Sequence, residues 1–368
     1  MTQHAPSLRS LLPDAVKALV PDSFDQPLVP EPRATCGDCA MCSKSDDTEG
    51  PLSDFFRPDT KCCTYHPILP NYLVGALLAN TDPSFDEGRR RIRAKIEQRI
   101  GVSPGWIRMP RKYEVLLEAS RAAFGRSTVL RCPYYEHASG NCTIWRFRES
   151  VCSTFFCKHA RGATAHAFWM ALKGYLNVIE KTLSLWSSHA VCPEAREPVP
   201  PRTKLDVEDL EDRPPHPEVY EKLWAGWAGR EEEFYVACFE HVRDISREDF
   251  AALVDESEDG KEALERLAST YEAVTKPKLL PLLVVNPELK KDRVAGGVAV
   301  ASYSRYDVLR LSDDLMAVLG ELKADEPVDA MIARMKREHD VDVPRELLIE
   351  LQTHEVLVPP KARERAEV

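Results

Sequence analysis

The sequence predicts a mainly α-helical protein, with an irregular cysteine-rich domain packed on helices and a small α+β domain at the C-terminal end. Three observations predict it. Nine of the eleven cysteines lie between Cys36 and Cys157, among many turn-forming residues. Residues 163–186 carry apolar side chains three or four apart, which is the helical period. Residues 281–360 combine short β-like runs with helical patterns.

Length and charge exclude several classes. The chain has 368 residues and a net charge of −10, which argues against a general binder of the phosphate backbone. No run of 18 apolar residues is present, and no secretory signal is recognisable. We therefore expect a cytoplasmic, bacterial-type protein with no membrane partner. In a reducing compartment, so many cysteines are metal ligands more often than disulfides.

Composition along the chain predicts five segments. We expect a Pro-rich N-terminal arm, a cysteine-cluster metal-binding domain, a Pro-rich linker, an acidic helical region and a C-terminal domain. Their predicted bounds are 1–35, 36–192, 193–217, 218–280 and 281–368.

Several helices are predicted inside these segments. Residues 71–80 have the composition of a buried helix, and a helix with a very basic face follows from Asp82 to about Ile100. We expect its Arg89–Arg93 patch to meet the acidic middle region of the same chain, with an acidic partner as the alternative. The 163–186 stretch predicts a long core helix that packs against the cysteine segments.

The cysteines form two groups. The first is Cys36-x2-Cys39-x2-Cys42 followed by Cys62-Cys63, and the second is Cys132-x9-Cys142-x9-Cys152-x4-Cys157. Thiolates two residues apart on a turn can converge on one centre, and soft sulfur selects zinc, copper(I) or iron–sulfur clusters. These nine cysteines are the predicted metal ligands, whereas Cys192 and Cys238 are predicted core thiols.

Spacing alone leaves the metal open. Structural zinc sites usually combine two short-spaced pairs of ligands. The first three cysteines resemble the iron–sulfur run of bacterial ferredoxins, but Asp46 stands where a fourth cysteine would complete it. One cluster with spare thiols, two four-cysteine sites or a multinuclear centre all remain open. We favour a 4Fe-4S cluster or iron, with zinc as the alternative.

The second group resembles the YkgJ-like cysteine-cluster family, described as zinc- or iron-chelating proteins. That family's pattern is roughly Cys-Pro-Phe-Leu, then Cys-x-Ile-Tyr, then Arg-Pro-x-x-Cys-Arg. The matching positions here are Cys132, Cys142, Ile144, Trp145 for the Tyr, Arg148 and Cys152. Glu149 replaces the family's Pro and Ser153 its Arg, and the N-terminal cluster is more spread out.

The resemblance covers about residues 36–160 and implies metal or cluster binding. A relative of that family, the flagellin lysine methylase, is thought to carry an iron–sulfur cluster. By analogy this implies a redox or protein-modifying enzyme. The sequence itself names no reaction, because it carries no phosphate loop, dinucleotide fingerprint, nucleophile elbow, zincin motif or radical-SAM spacing.

Three further residues are candidates near the cysteines. Arg148 is the predicted cofactor-binding residue, which would orient a cluster thiolate or bind an anionic substrate; a salt bridge to a nearby carboxylate such as Glu149 is the alternative. His66 follows Cys63 by three residues and His159 follows Cys157 by two, so each is a candidate ligand or a donor to a ligand. Surface or core histidine is the competing interpretation for both.

The C-terminal section reads as strand, hairpin, three helices and strand, which predicts a winged-helix-like domain. Ser312 is expected to cap the first helix, while Pro327 and Pro344 open the next two. Residues 281–360 also resemble PqqD-like domains, which implies binding of an extended peptide as an added strand. A nearly charge-balanced third helix makes a nucleic-acid partner an unfavoured alternative.

Two hypotheses follow. In the first, the nine cysteines hold iron–sulfur clusters or iron/zinc in a redox or peptide-modifying protein, and the C-terminal domain presents a peptide. In the second, the chain is a non-catalytic, zinc-stabilised interaction or regulatory protein.

Overall fold

The computed structural model describes residues 6–43, 55–196 and 205–360. It is mainly helical, with 51% helix and 9% strand, as the sequence predicts. Contacts divide the chain into two compact units. Unit 1 comprises Met1–Leu28, Phe55–Phe155 and Leu172–Glu265, and unit 2 comprises Val29–Asp54, Phe156–Ala171 and Arg266–Val368. The five predicted segments stay a prediction, and linker residues 197–204 and the end of the chain from 361 lie outside the described residues.

Unit 1 is built from short helices and two tiny antiparallel sheets. The strands are β1 (Leu69–Pro70), paired with β2 (Trp106–Ile107), and β3 (Tyr135–Glu136), paired with β4 (Asn141–Cys142). Short 3₁₀ turns lie at Leu8–Leu11, Asp22–Asp25, Pro83–Phe85, Arg121–Ala123, Thr128–Leu130 and Trp145–Phe147. The helices are α1 (Asp14–Lys17), α2 (Asn71–Ala79), α3 (Asp86–Gln98), α4 (Arg111–Ala119), α5 (Ser150–Thr154), α6 (Gly162–Val191, which begins in unit 2), α7 (Val207–Leu210), α8 (Pro217–Trp224), α9 (Glu231–Arg243), α10 (Arg247–Phe250), continued by a π turn (Ala251–Asp255), and α11 (Glu258–Thr275, which ends in unit 2).

The core of unit 1 is centred on the contact between α2 and α9. The buried helix predicted at residues 71–80 is confirmed, and α2 is buried from Asn71 through Leu78. Its backbone lies directly against α9, since a Cβ added at Gly75 would stand 1.9 Å from the Tyr235 carbonyl oxygen. Only glycine permits this approach.

No helix in the described ranges is long and apolar enough to span a bilayer.

The basic face of α3 is neutralised within unit 1. Arg90 and Arg91 both pair with Glu87 one turn earlier on the helix. Arg93 Nε lies 3.0 Å from a carboxylate oxygen of Glu232, at the start of α9. The prediction that this patch meets the acidic middle region of the same chain is therefore confirmed for Arg93.

Unit 2 contains the C-terminal sheets and helices. The strands β6 (Lys290–Val294), β7 (Gly297–Ala301) and β8 (Leu309–Ser312) form an antiparallel meander, and β5 (Val284–Val285) pairs with β9 (Leu357–Val358). The helices are α12 (Asp313–Gly320), α13 (Val328–His339) and α14 (Arg345–Thr353). The hairpin around Gly296 and the closing strand are as predicted. Ser312 caps α12 by accepting from the Leu315 amide, and Pro327 and Pro344 precede α13 and α14.

Candidate metal centre

None of the eleven cysteines, all of which lie among the described residues, forms a disulfide, and the two units divide the nine predicted ligands between them. Unit 2 contains four of them, namely Cys36, Cys39, Cys42 and Cys157. Unit 1 contains five of them, namely Cys62, Cys63, Cys132, Cys142 and Cys152. The five thiols of unit 1 come from three separate stretches of the chain, so tertiary structure has to assemble them.

A tight turn fixes the adjacent pair Cys62-Cys63. The Cys63 amide donates to the Thr60 carbonyl at 3.0 Å, and the Thr64 amide donates to the Cys62 carbonyl at 2.8 Å. Buried Thr60 and Thr64 anchor this turn to Gly125, because the Thr60 hydroxyl donates to its carbonyl and the Thr64 hydroxyl accepts from its amide. The turn is thus held rigidly by short, buried hydrogen bonds.

Cys132 and Cys142 are joined to this turn by backbone hydrogen bonds. The Cys132 amide donates to the Cys63 carbonyl at 2.9 Å, which places Cys132 beside the Cys62-Cys63 turn. The β3–β4 hairpin then folds the chain back, with Cys142 directly opposite Tyr135. The Tyr135 amide donates to the Cys132 carbonyl, so the hairpin starts from the cysteine itself.

Cys152 lies in α5, whose start is fixed by Glu149. The Glu149 carboxylate accepts from the amides of Val151 and Cys152 at 2.5 and 2.9 Å, and therefore caps the helix. Glu149 is the residue that departs from the Pro of the family pattern, and the cap gives this departure a physical role. Sequence reasoning missed it, although an acidic residue just before a short helix is a recognisable cap signal.

A second, part-buried carboxylate supports the same helix start. Glu180 of α6 accepts from the Ser150 amide at 2.6 Å and from the Ser150 hydroxyl at 2.8 Å. Burial, and then the neighbouring Glu149 charge, raise the pKa of Glu180 well above its usual range. This pairing cannot be predicted from the sequence, in which the α6 segment shows only its apolar stripe.

Burial and neighbouring thiols and carboxylates shift the pKa values of thiols in unit 1. Burial raises the pKa of Cys132 to about 12, and Cys142 adds to the shift. The pKa of Cys62 is raised first by its hydrogen bond with Cys63 and then by burial. Burial and the charges of Glu149 and Cys132 raise the pKa of Cys152. The thiols of Cys62, Cys132 and Cys152 therefore hold their protons at neutral pH unless a cation replaces them.

Arg148 supplies positive charge to this group. Its guanidinium lowers the pKa of Cys62, Cys142 and Cys152 against the stronger effect of their burial. It donates to the Cys152 carbonyl at 2.9 Å and stacks on Trp145, 3.5 Å from the ring centroid. Among the described residues no ion pair joins Arg148 to Glu149, the carboxylate that the salt-bridge alternative named.

The donor chemistry of these residues fits a thiophilic metal, because five neighbouring thiols and a nearby guanidinium offer soft ligands and charge compensation. In the described ranges, however, no three His, Cys, Asp or Glu side chains converge as ligands of a single ion. The thiols of unit 1 therefore lie as linked neighbours and not as a closed ligand set.

In unit 2, three cysteines of the first group, Cys36, Cys39 and Cys42, lie on consecutive turns. The Cys42 amide donates to the Cys39 carbonyl at 3.1 Å, and the Thr35 hydroxyl donates to the Asp38 carbonyl. Cys36 is exposed and Cys42 is buried. Tight turns at this spacing are the local geometry that the Cys-x2-Cys-x2-Cys pattern predicts.

The two candidate histidines each have one ring nitrogen engaged. His66 donates from Nε2 to the Arg131 carbonyl at 2.9 Å, and its ring stacks on Tyr113. His159 Nδ1 lies 3.1 Å from the Tyr303 hydroxyl. Burial lowers the pKa of each histidine to about 4, so both are neutral at pH 7.

Cys192 and Cys238 are core thiols, as predicted. Both belong to the buried apolar cluster of unit 1. Cys238 is fully buried in α9, and the Asn71 amide donates to its sulfur at 3.4 Å.

Comparisons of this chain with family models, curated proteins and solved structures found no match.

Proposed function

We propose that this chain is a metal-binding protein whose nine predicted ligand cysteines hold one or more iron–sulfur clusters or iron, with 4Fe-4S favoured and zinc as the alternative. The observation that carries the proposal is the assembly of five thiols as neighbours in unit 1, from three separate stretches of chain. Gathering five thiols, of which one is buried and four are part-buried, has no evident use in packing alone. A bound metal would displace their protons and draw the linked neighbours into one ligand set.

Arg148 has a defined place in this proposal. A cluster held by thiolates carries net negative charge, and the guanidinium beside three of the thiols offsets it. Its hydrogen bond to the Cys152 carbonyl and its stacking on Trp145 hold the charge in place. When bound, a cluster would supply one-electron transfer, and the residues of the chain would set its potential through charge, hydrogen bonding and burial.

The proposal extends to a redox or peptide-modifying role in which the C-terminal region binds an extended peptide. The meander β6-β7-β8 supports it, because its outer strands β6 and β8 each pair on one side only within the described sheet. Such edges can accept an added strand. On β6, exposed Lys290, Lys291 and Arg293 favour an acidic peptide.

The first experiment is metal and sulfide analysis, with an optical spectrum, on protein purified without air. We expect iron with matching acid-labile sulfide and a broad absorption band near about 400 nm. Cys238→Ser is the matched control, since Cys238 lies in the apolar core, and its metal content should equal that of the wild type. Zinc alone, without colour, would overturn the iron–sulfur proposal and favour a zinc-stabilised interaction protein.

The peptide proposal has its own test. A fluorescently labelled peptide of alternating Glu and Val would be titrated against the full chain and against Lys290→Glu/Lys291→Glu. We expect saturable binding that the double variant weakens, because the substitution reverses the charge of the strand edge. Lys336→Glu, an exposed lysine on α13, is the control. Absence of binding, or equal binding to all three proteins, would contradict the acidic-peptide proposal.

A further inference from the structure

The loop between β7 and β8 carries a fully buried carboxylate in unit 2. The Asp307 side chain has no solvent exposure. It accepts from Arg33 Nη2 at 2.6 Å, from the His159 amide at 3.1 Å and from the Tyr303 hydroxyl. A charge buried this deeply persists only when it is paired and fully hydrogen-bonded. The carboxylate therefore ties three separate stretches of the chain together.

Arg33 and Glu31 reinforce the connection between two of these stretches. Arg33 Nη1 donates to the His159 carbonyl at 3.0 Å. The Glu31 carboxylate accepts from the Ala160 amide at 2.5 Å and from the Trp169 indole at 2.8 Å. Residues 31–33 are thereby attached to residues 159–160 through both of their charged side chains.

The third stretch contacts His159 through a relay of hydrogen bonds. Tyr303 donates to Asp307, so its oxygen accepts from His159 Nδ1 at 3.1 Å. The backbone is closely packed here as well. Gly162 has a φ of +49°, and a Cβ at that position would lie 2.5 Å from the His354 ring. The start of α6 is therefore pressed against the C-terminal helical part of unit 2.

Two predicted ligands flank this network along the chain. Cys36 follows Arg33 by three residues and Cys157 precedes His159 by two. At the reach of an extended chain, their Cα atoms lie within roughly 10 Å and 7 Å of those anchors. The network is therefore placed to fix both cysteine-bearing segments of unit 2.

We propose that Asp307, Tyr303 and Arg33 are positioning residues for the thiols of Cys36 and Cys157, so that a loop of the C-terminal sheet forms part of the metal-centre scaffold. This inference rests on the proposed function, in which those thiols are ligands. None of the three side chains is assigned a contact with metal. They act by holding the backbone from which the thiols project.

The experiment measures thiol exposure and metal content in parallel. Tyr303→Phe removes one hydroxyl, and Asp307→Asn removes the charge while keeping the shape. Peptide mass spectrometry would give the alkylation rates of Cys36 and Cys157 by iodoacetamide in metal-free full-length protein, with Cys132 of unit 1 as internal reference. We expect both variants to raise the Cys157 rate roughly fivefold, the ratio that corresponds to one lost hydrogen bond.

The controls keep the outcomes separable. Asp313→Asn makes the same chemical change in unit 2 at a carboxylate whose partner is Arg293 on the surface, and its alkylation rates should match the wild type. Unchanged Cys36 and Cys157 rates in folded Tyr303→Phe and Asp307→Asn would overturn the inference. The two results can also diverge. If both network variants alkylate faster than the wild type, but the purified wild-type protein retains no metal, the positioning role is supported and the proposed function is refuted. If Asp307→Asn fails to fold, Tyr303→Phe decides the matter. In metal-loaded protein, both network variants should also shift the optical spectrum.

Discussion

The thiols of the two units are held in different ways. In unit 1, backbone hydrogen bonds of a turn, a hairpin and a capped helix fix Cys62, Cys63, Cys132, Cys142 and Cys152. In unit 2, the anchors near Cys36 and Cys157 are side chains, and the ion pair between Arg33 and Asp307 is central. Backbone anchors tolerate most substitutions nearby, whereas a buried ion pair fails when either partner is lost. The arrangement of thiols in unit 1 should therefore tolerate substitution better than that in unit 2, which depends on single side chains.

The largest expected effect concerns the ligands themselves. Cys39→Ser in unit 2 and Cys152→Ser in unit 1 should each abolish metal retention, because a hydroxyl is a poor substitute for a soft thiolate. Cys238→Ser should retain the metal. The measurement is metal per chain after gel filtration. Equal metal content in all three variants would refute the ligand assignment in both units.

The buried ion pair of unit 2 should give the next largest effect. Asp307→Ala leaves Arg33 without its partner, and we expect the free energy of unfolding to fall by ~3 kcal/mol. This is the lower end for a buried pair, since a third of the Arg33 side chain is exposed. Urea unfolding of Asp307→Ala would be compared with Asp313→Ala, whose partner Arg293 is on the surface. Equal losses would show that the network is no special anchor.

Acid should weaken unit 1 through His66. Burial lowers its pKa to about 4 in the folded state, so between that value and about 6.5 the unfolded chain binds more protons. Stability should therefore be fully present above pH 6.5 and fall as the pH drops, by at most ~2 kcal/mol at pH 5. His66→Phe keeps the stacking on Tyr113 and should flatten this dependence.

The measurement for His66 is the urea midpoint at pH 7 and pH 5. His137→Phe, at an exposed position, is the control and should follow the wild-type dependence. A His66→Phe variant that loses as much stability on acidification as the wild type would exclude His66 as the titrating group.

A smaller effect is expected from the helix cap in unit 1. Glu149→Ala removes the acceptor for the amides of Val151 and Cys152 and should lower stability by ~1 kcal/mol. Asp206→Ala removes the comparable cap of α7 and serves as the control. Only Glu149→Ala should also speed metal loss to a chelator. Equal rates of metal loss from the two variants would show that the Glu149 cap does not contribute to metal retention.

The smallest effect belongs to the surface. Arg93→Gln breaks the pair with Glu232, in which both side chains are more than two-fifths exposed, and should change stability by less than ~1 kcal/mol. Thermal unfolding at low and at high salt would check it. If Arg93→Gln lost as much stability as Asp307→Ala, surface and buried ion pairs would not differ in their contribution to stability. The comparison between the two units would then fail.

Local patterns predicted much of the fold. The apolar run at 71–80, the three-or-four spacing at 163–186 and the helix starts at Ser312, Pro327 and Pro344 all appear as helices. These signals depend on neighbours a few residues away, and a sequence displays them directly. The winged-helix-like and PqqD-like character of residues 281–360 stays a prediction.

Distant pairings could not be predicted in this way. Arg33 and Asp307 are 274 residues apart, and nothing in either neighbourhood marks the other. From the sequence, Glu149 is expected at most to pair with its neighbour Arg148. In the structure its carboxylate caps α5. The cysteine spacing gave the donor chemistry, but the hydrogen bond from Cys132 to Cys63 depends on tertiary packing.

The separation of Arg33 from Asp307 has a consequence for biosynthesis. A ribosome adding roughly 5–20 residues per second needs roughly 15–55 s to pass from one to the other. Throughout that interval Cys36, Cys39 and Cys42 are already made while their anchor does not yet exist. Nascent thiols of this kind are open to oxidation and to the wrong metal. Correct metal loading of these cysteines would therefore follow completion of the chain.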